Sequence, residues 1–505
     1  MTPGASLWQR SEAPLLFRGG VCYNNIYMKQ TRTRFAPSPT GFLHVGGVRT
    51  ALFAWLVARQ SHGKFILRLE DTDQKREVEG SAEHLMQCLK TLGINYDEGP
   101  DVGGDFGPYV QSQRLDIYKK WAQKLIDSGR AYADPYTAEE LQEFRDKAKS
   151  EKRPFLYRNH RPETLPEWNG TTPLRFKSDP KAYTWHDEVM GELSTGPEVI
   201  DDFILIKSDG YPTYNFAHIV DDAEMEITHV IRGQEFISSQ PNYLNLYEAL
   251  ELERPIFATM PHIMAESGNK KLGKRDGAKD VLDYIREGYT QEALVNFIAS
   301  LGWNDGTEQE IFTVDELIEK FSLGRVQKSG ARFDQQRLLW MNGQHIRTLK
   351  IEDLYERTTD FWPASAQNAD KLRKIEVLML VQDRLKTLAD LPIITNYFFE
   401  DPDPDWHMIQ DVKQLKKLDA AEIQSLLEAA KFELSACENF DAETIQNTLN
   451  TTLEKTGQKP GILFSLIRLS ISWAPFSPAL NETLATLGKS TSLNRIDRAI
   501  ENLHN

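Results

Sequence analysis

His44 is the side chain around which the chemistry of this chain gathers. It stands in the stretch Thr33-Arg-Phe-Ala-Pro-Ser-Pro-Thr-Gly-Phe-Leu-His44-Val-Gly46-Gly47, which runs on into an apolar segment as far as Arg59. A helix starting there offers unpaired backbone N–H groups and partial positive charge, and the two glycines let a backbone or a flat ring come close. His44, one turn earlier, is placed to donate to a phosphate oxygen. The same stretch also reads as an ordinary βα turn in which His44 packs or caps. A second basic group, Lys271-Leu-Gly-Lys274-Arg275, lies in the glycine-spaced segment Ser267 to Lys279. Alone it reads as a solvated loop; beside His44 it reads as a lid over phosphate charge. Glu70-Asp-Thr-Asp73 adds carboxylates, of which Asp71 and Asp73 suit capping or loop fixing better than metal binding.

These groups need a sheet edge and a helix to hold them. Pro37 and Pro39 cannot donate to a ladder, so the first strand ends near Ala36. Val48, Ala51, Leu52, Trp55 and Leu56 then follow the spacing of a buried helical face. Lys64 to Leu69 alternates as a strand and delivers Glu70 to the carboxyl edge, where open α/β sheets bind ligands. Two helical stripes follow, Ala82 to Leu92 and Leu115 to Ile126. From Asp134 to Pro212 the chain is rich in Pro and Trp with few clean periods, and Phe203 to Lys207 is a strand returning to the sheet. After Asp280 the pattern turns helical, and from Leu349 onward almost wholly so, with Asp401-Pro-Asp-Pro-Asp405 as a rigid acidic break.

Taken together, the His44 string and the Lys271–Arg275 string resemble the two signatures of class I aminoacyl-tRNA synthetases, in the glutamyl branch of bacterial and organellar type. Leu69-Glu-Asp-Thr-Asp73, Tyr109-Val-Gln-Ser-Gln-Arg114 and Tyr211-Pro-Thr-Tyr214 strengthen the resemblance, which spans Thr31 to Leu503. It implies an α/β fold: a Rossmann-like nucleotide-binding domain (31–113 and 213–266) with an inserted acceptor-binding domain (114–212). A lid and stem-contact region (267–345) and an all-α anticodon-binding domain (346–505) follow. It implies catalysis by His44, Lys271 and Lys274, and ATP binding by Ser38, Thr40, Gly41, His44, Gly46, Gly47 and Lys274. Glutamate binding falls to Arg34, Ala36, Ser38, Glu70, Tyr214, His218 and Arg232. Glu70 would face the substrate ammonium and Arg232 a carboxylate, which a guanidinium grips bidentately. His218 departs from the family, some members of which carry Asn there; it either contacts glutamate or packs beneath Tyr214. Gly273 replaces a common Ser in the lid.

The resemblance implies ATP with Mg²⁺, L-glutamate and the glutamate tRNA as partners, with the glutamine tRNA left open. Some bacterial relatives hold zinc through cysteines after the Ala131-Tyr132 string. This chain has Ala133-Asp134 and no cysteine in that segment, and Asp134, His160 and His186 are too scattered to replace a four-ligand site. No structural zinc and no metal-binding residue are expected. Lys147, Lys149, Lys152, Arg153, Arg158 and Arg161 either touch phosphates or form a solvated charged face.

At 505 residues the chain exceeds one core, and 40% hydrophobic with 26% charged residues is the composition of a globular enzyme. The net charge of −15 weighs against nonspecific nucleic-acid binding but not against local basic clusters. Three cysteines far apart give no disulfide framework or metal spacing and fit a reducing cytoplasm. No run reaches membrane-span length, and a monomer is expected. Residues 1–30 carry little periodicity and are expected to be disordered, with Met28 a second candidate start. Three other readings remain: a glutaminyl enzyme, which commonly ends in β-barrels, a short paralogue lacking the C-terminal domain, and a non-catalytic tRNA-binding protein.

Overall fold

A computed structural model describes residues 29–268, 270–273, 279–474 and 477–503. Residues 1–28, with the start candidate Met28, and Lys274 of the lid lie outside the described residues.

Strand β1 (Arg32–Phe35) ends just before the proline turn, and helix α1 (Val45–Gln60) begins just after His44. β2 (Lys64–Leu67), α2 (Ser81–Thr91) and α3 (Leu115–Asp127) follow. β2 stops two residues short of the expected Leu69 because its partner changes. Arg68 N–H still donates to Phe35 O (3.0 Å), whereas Leu69 N–H donates to Tyr109 O (2.9 Å). β3 (Ala131–Ala133), α4 (Ala138–Ser150), β4 (Leu174–Phe176), β5 (Tyr183–Asp187), β6 (Gly191–Thr195) and β7 (Ile204–Ile206) make up the inserted segment. α5 (Tyr214–Glu224), β8 (His229–Gly233), α6 (Gln240–Ala249), β9 (Ile256–Met260), β10 (Ile263–Met264) and α7 (Val281–Arg286) complete the body that carries the site.

The main sheet runs β2-β1-β8-β9-β5-β6. Its first four strands are parallel, and their carboxyl ends carry the site residues. All four residues of β1 are buried, as expected of a parallel strand covered on both faces. α1 packs on one face and is buried nearly all round, including Phe53, Ala54 and Ala58 beyond the predicted stripe, because helix Gln291–Ala299 covers its far side. α5 and α6 cover the other face. Two expected modules therefore share cores with the sheet. Phe297, Trp303 and Phe333 of the stem-contact region pack with α1, while Leu174, Phe176 and Ile200 of the insertion pack with Phe216 and Tyr243. β5 joins the main sheet beside β9, and only β3-β4-β7 form a sheet of the insertion's own.

Beyond Arg332 the described residues contain helices and no strand. The acidic break is held by Arg495, which pairs with Asp401 (2.8 Å) and donates to Ile471 O (2.8 Å). The joint between the body and this helical region turns on fully buried Asn342. Its Oδ1 accepts from Thr290 N (2.8 Å), and its Nδ2 donates to Lys386 O (2.7 Å). Asn342→Leu keeps the branched side-chain skeleton but orphans both backbone groups. It is expected to destabilise the chain by about 2–4 kcal/mol, read as an earlier urea transition; an unchanged transition would remove Asn342 from this role.

Candidate active site

The proline turn after β1 is fixed by what its carbonyls accept. Glu70 N donates to Pro37 O (3.0 Å) and Val78 N to Pro39 O (3.0 Å), so the segment after β2 is stitched across the turn. Two adjoining clefts open at this edge and share Ser38 and Thr40. The first, of about 530 Å³, is lined by Gly41, His44, Gly46, Gly47 and Lys271 among others; the second, of about 420 Å³, by Glu70 and Tyr214.

His44 is exposed and is also the N-cap of α1, its Nδ1 accepting from Gly46 N (3.1 Å). The capping reading thus has a definite hydrogen bond, and Gly46 N–H is not among the open donors that the sequence suggests. A neutral ring whose Nδ1 accepts carries its proton on Nε2. Capping and donation are therefore compatible in one tautomer. Gly46 permits this because a Cβ there would stand 3.0 Å from His44 Cε1. Lys271 sits on a tight return, bridged to Met264, with Leu272 N donating to Ile263 O (2.8 Å). Lys279, at the end of the lid segment, is paired with Glu287.

The two guanidinium groups expected to face a substrate carboxylate are not equivalent. Arg34 is matched by Asp222 (3.1 Å), which also holds Arg68 (2.8 Å). Burial opposes the Asp222 charge, but Arg34 and Arg68 outweigh it and bring its pKa down to about 2. Arg232 is 7% exposed, and no carboxylate pairs with it among the described residues. Its Nη1 meets His218 Nε2 (3.4 Å), its Nη2 donates to Gln240 Oε1, and it lies over the Tyr243 ring. His218 stacks beneath Tyr214, with ring centroids 4.7 Å apart, and its Nδ1 meets Tyr214 O (2.7 Å). Burial and the neighbouring Arg232 push its pKa down to about 3, so the ring is neutral and accepts from Arg232 while donating to the carbonyl. His218 thus packs beneath Tyr214 while also contacting Arg232.

Glu70 is 4% exposed, and its Oε1 accepts from Arg68 (3.0 Å) and Gln111 (3.4 Å). Burial raises its pKa to about 7 even though Arg68 and Arg34 pull it down. Asp71 fixes a loop by accepting from Ser112 N (2.8 Å), while Asp73 makes no side-chain cap. Ala36 is half-buried at the strand's end. In the insertion, Asp134 binds Arg175 (3.0 Å) and Tyr157 (2.6 Å), His160 stacks on Phe144, and His186 faces Glu192, so each of the three has its own partners. Arg153, Arg158 and Arg161 are engaged with Glu151, backbone carbonyls and Asp202, leaving Lys147, Lys149 and Lys152 as the exposed basic groups of that set.

Sequence reasoning missed Arg49, Arg68, Asp222 and Gln240. Arg49, buried on α1, donates to Leu301 O (3.2 Å) and Pro261 O and ties the signature helix to the base of the lid. Arg49, Arg68 and Asp222 take partners more than 150 residues away, and Gln240 meets Arg232 only because β8 and α6 fold together, so no local spacing marks any of them.

Residues 30–340 match the family described as tRNA synthetases class I (E and Q), catalytic domain, and residues 353–500 match an anticodon binding domain. Glutamate–tRNA ligase of Clostridium tetani is 40% identical over 483 residues, covering 94% of this chain and 98% of the relative. That of Chlorobaculum parvum is 40% identical over 506 residues, with 94% and 98% covered. The crystal structure of a glutamate tRNA ligase from Elizabethkingia meningosepticum, in complex with its amino acid, aligns with a TM-score of 0.83 at 34% identity, covering 94% of this chain and 100% of that one. With His44 and Lys271 lining one cleft and this likeness along the chain's length, the chain belongs to the glutamate–tRNA ligase family of class I aminoacyl-tRNA synthetases.

Proposed function

We propose that the chain activates L-glutamate with ATP and transfers the glutamyl group to the 3′-terminal adenosine of the glutamate tRNA. The observation that carries the substrate choice is Arg232, a buried guanidinium without a carboxylate partner among the described residues, beside Tyr214 and a neutral His218. An unmatched buried cation is costly, and a substrate side-chain carboxylate relieves that cost where a neutral amide does not. Arg34, already paired with Asp222, donates to Ile231 O and so helps fix the strand that carries Arg232.

The substrate α-carboxylate oxygen attacks the α-phosphorus of ATP, the bond to the bridging oxygen breaks, and pyrophosphate leaves with its electron pair. No side-chain nucleophile is required, so the work is positioning and charge stabilisation. His44 Nε2–H and the start of α1 serve the phosphates and adenosine, with Ser38, Thr40, Gly41, Gly46 and Gly47 shaping the cleft. Lys271, with Lys274, covers the leaving pyrophosphate. ATP enters as its Mg²⁺ complex, the ion held mainly by phosphates and water. A ribose hydroxyl then attacks the glutamyl carbonyl and AMP departs. Glu70, as carboxylate, holds the substrate ammonium.

The remaining features of the reading are a cytoplasmic monomer, an insertion that grips the acceptor end, and a helical region that reads the anticodon. No described helix is long and apolar enough to cross a membrane. The absence of strands after Arg332 among the described residues disfavours the glutaminyl alternative.

Charging purified glutamate and glutamine tRNAs with labelled glutamate tests the function. Charging of the glutamate tRNA is expected, charging of both assigns the broader role, and charging of neither overturns the proposal. Arg232→Gln is expected to raise the glutamate KM about a hundredfold, the loss of one charge-assisted pair, with a smaller change in kcat; an unchanged KM would remove Arg232 from the substrate. Because neutral Glu70 cannot hold an ammonium, the glutamate KM should rise as pH falls through about 7. The slope should approach about tenfold per pH unit, and Glu70→Gln should give a high, flat profile.

A further inference from the structure

His84, Cys88 and Asp280 converge outside both clefts. His84 and Cys88 lie one turn apart on the same face of α2, and Asp280 comes 196 residues after His84, at the point where the lid segment re-enters the fold. His84 Nε2 is 2.7 Å from Asp280 Oδ2, and Cys88 Sγ is 3.6 and 3.7 Å from the two His84 nitrogens and 4.0 Å from Asp280 Oδ1. One donor atom from each residue falls within 4.8 Å of the others.

The S···N separations have the length of a tetrahedral zinc edge, but Sγ stands almost equally far from both ring nitrogens, so the imidazole must turn about its Cβ–Cγ bond for one nitrogen to share an ion with the thiol. With Zn–S near 2.3 Å and Zn–N and Zn–O near 2.0 Å, the ligand atoms stand about 3.6 Å (S···N) and about 3.3 Å (N···O) apart. Seating an ion requires the His84–Asp280 contact to open by about half an ångström. The sulfur is fully buried, while the His84 and Asp280 side chains are 15% and 16% exposed, so an ion arrives from their side with the thiol beneath. Asp280 can supply Oδ2 without giving up its cap of α7, because Oδ1 accepts from Leu282 N (3.0 Å). Thiolate and carboxylate neutralise a divalent ion, and the mixed S, N, O set selects zinc over the magnesium that travels with ATP.

We infer that His84, Cys88 and Asp280 form a three-ligand Zn²⁺ site, with a fourth position for water, joining α2 to the exit of the lid segment. Bound there, the ion ties α2 to a residue whose backbone already bridges His44 and whose neighbour Val281 donates to Leu43 O (3.2 Å). Neither signature motif nor the zinc-binding place of bacterial relatives contains these residues. Binding exchanges the Cys88 thiol proton for the metal, with no change of oxidation state.

The test uses the full chain carrying Cys22→Ser and Cys437→Ser, in which Cys88 is the only thiol. Titration with Co²⁺ as probe should give one equivalent of a thiolate-to-cobalt charge-transfer band, displaced by Zn²⁺ and untouched by excess Mg²⁺. Adding Cys88→Ser should abolish the band, and Asp280→Asn, which preserves the cap, should weaken Co²⁺ binding about tenfold or more. X-ray absorption of the Zn²⁺-loaded protein with Cys88 intact should show one sulfur among the neighbours, a readout that needs no ligand variant to fold. No charge-transfer band, a band that survives Cys88→Ser, or a shell of oxygen and nitrogen alone would overturn the site.

Discussion

The adjacent carboxylates Asp221 and Asp222, both buried on α5, hold the catalytic body together. Asp222 takes Arg34 from β1 and Arg68 from the end of β2; Asp221 takes Arg114 (2.7 Å), Tyr118 (2.9 Å) and Gln111 (2.8 Å) from the chain leading into the insertion. Two strands, one helix and the start of the insertion therefore meet on two side chains. Two carboxylates in that position with no cations would be untenable, and the three arginines alone would be equally so. Burial opposes the Arg68 charge, yet the surrounding carboxylates raise its pKa well above its ordinary value, and the network persists as ions. Its contribution lies less in net stability, which desolvation offsets, than in allowing a single arrangement of the strand ends.

The site inherits its asymmetry from that network. Arg34 and Arg68 are neutralised from behind, while Arg232, one strand over, faces aromatic rings and a neutral imidazole. His218 has a particular part in this, since a protonated ring 3.4 Å from Arg232 would repel it. Burial keeps the ring neutral, so it can accept from the guanidinium and orient it while Tyr214 stacks on its face. Beside the second cleft, which Glu70 and Tyr214 line, stand a guanidinium with no carboxylate partner among the described residues and a carboxylate, Glu70, whose own ionisation is made difficult by burial.

Around this centre the modules are less separate than a linear division of the chain makes them. α1 carries the first signature and is also the central helix of a core that includes the stem-contact region, so its far face cannot be solvated. Arg49 spans from that helix to the lid base, and β5 of the insertion completes the sheet beyond β9. The cleft beside His44 is consequently walled by segments from both halves of the body. Asn342 plays the corresponding part between the body and the helical region, where one amide satisfies backbone groups from two segments.

The sequence by itself determined whatever depends on near neighbours. Pro37 and Pro39 end β1, the apolar spacing from Val48 defines α1, His44 stands where a cap or a phosphate donor must stand, and two motifs in order bring the family resemblance. It also showed that Asp134 is no zinc cysteine, but not that Arg175 and Tyr157 are its partners. Only the tertiary structure decided which charges are matched. Arg34 and Arg232 look alike in one dimension, and Asp222, 188 residues from Arg34, separates them. The same holds for His84, Cys88 and Asp280, whose third member is supplied by the lid's return. The physical reason is range: caps, turns and amphipathic faces are set within a few residues, whereas burial and ion pairing depend on distances in space that chain separation does not encode.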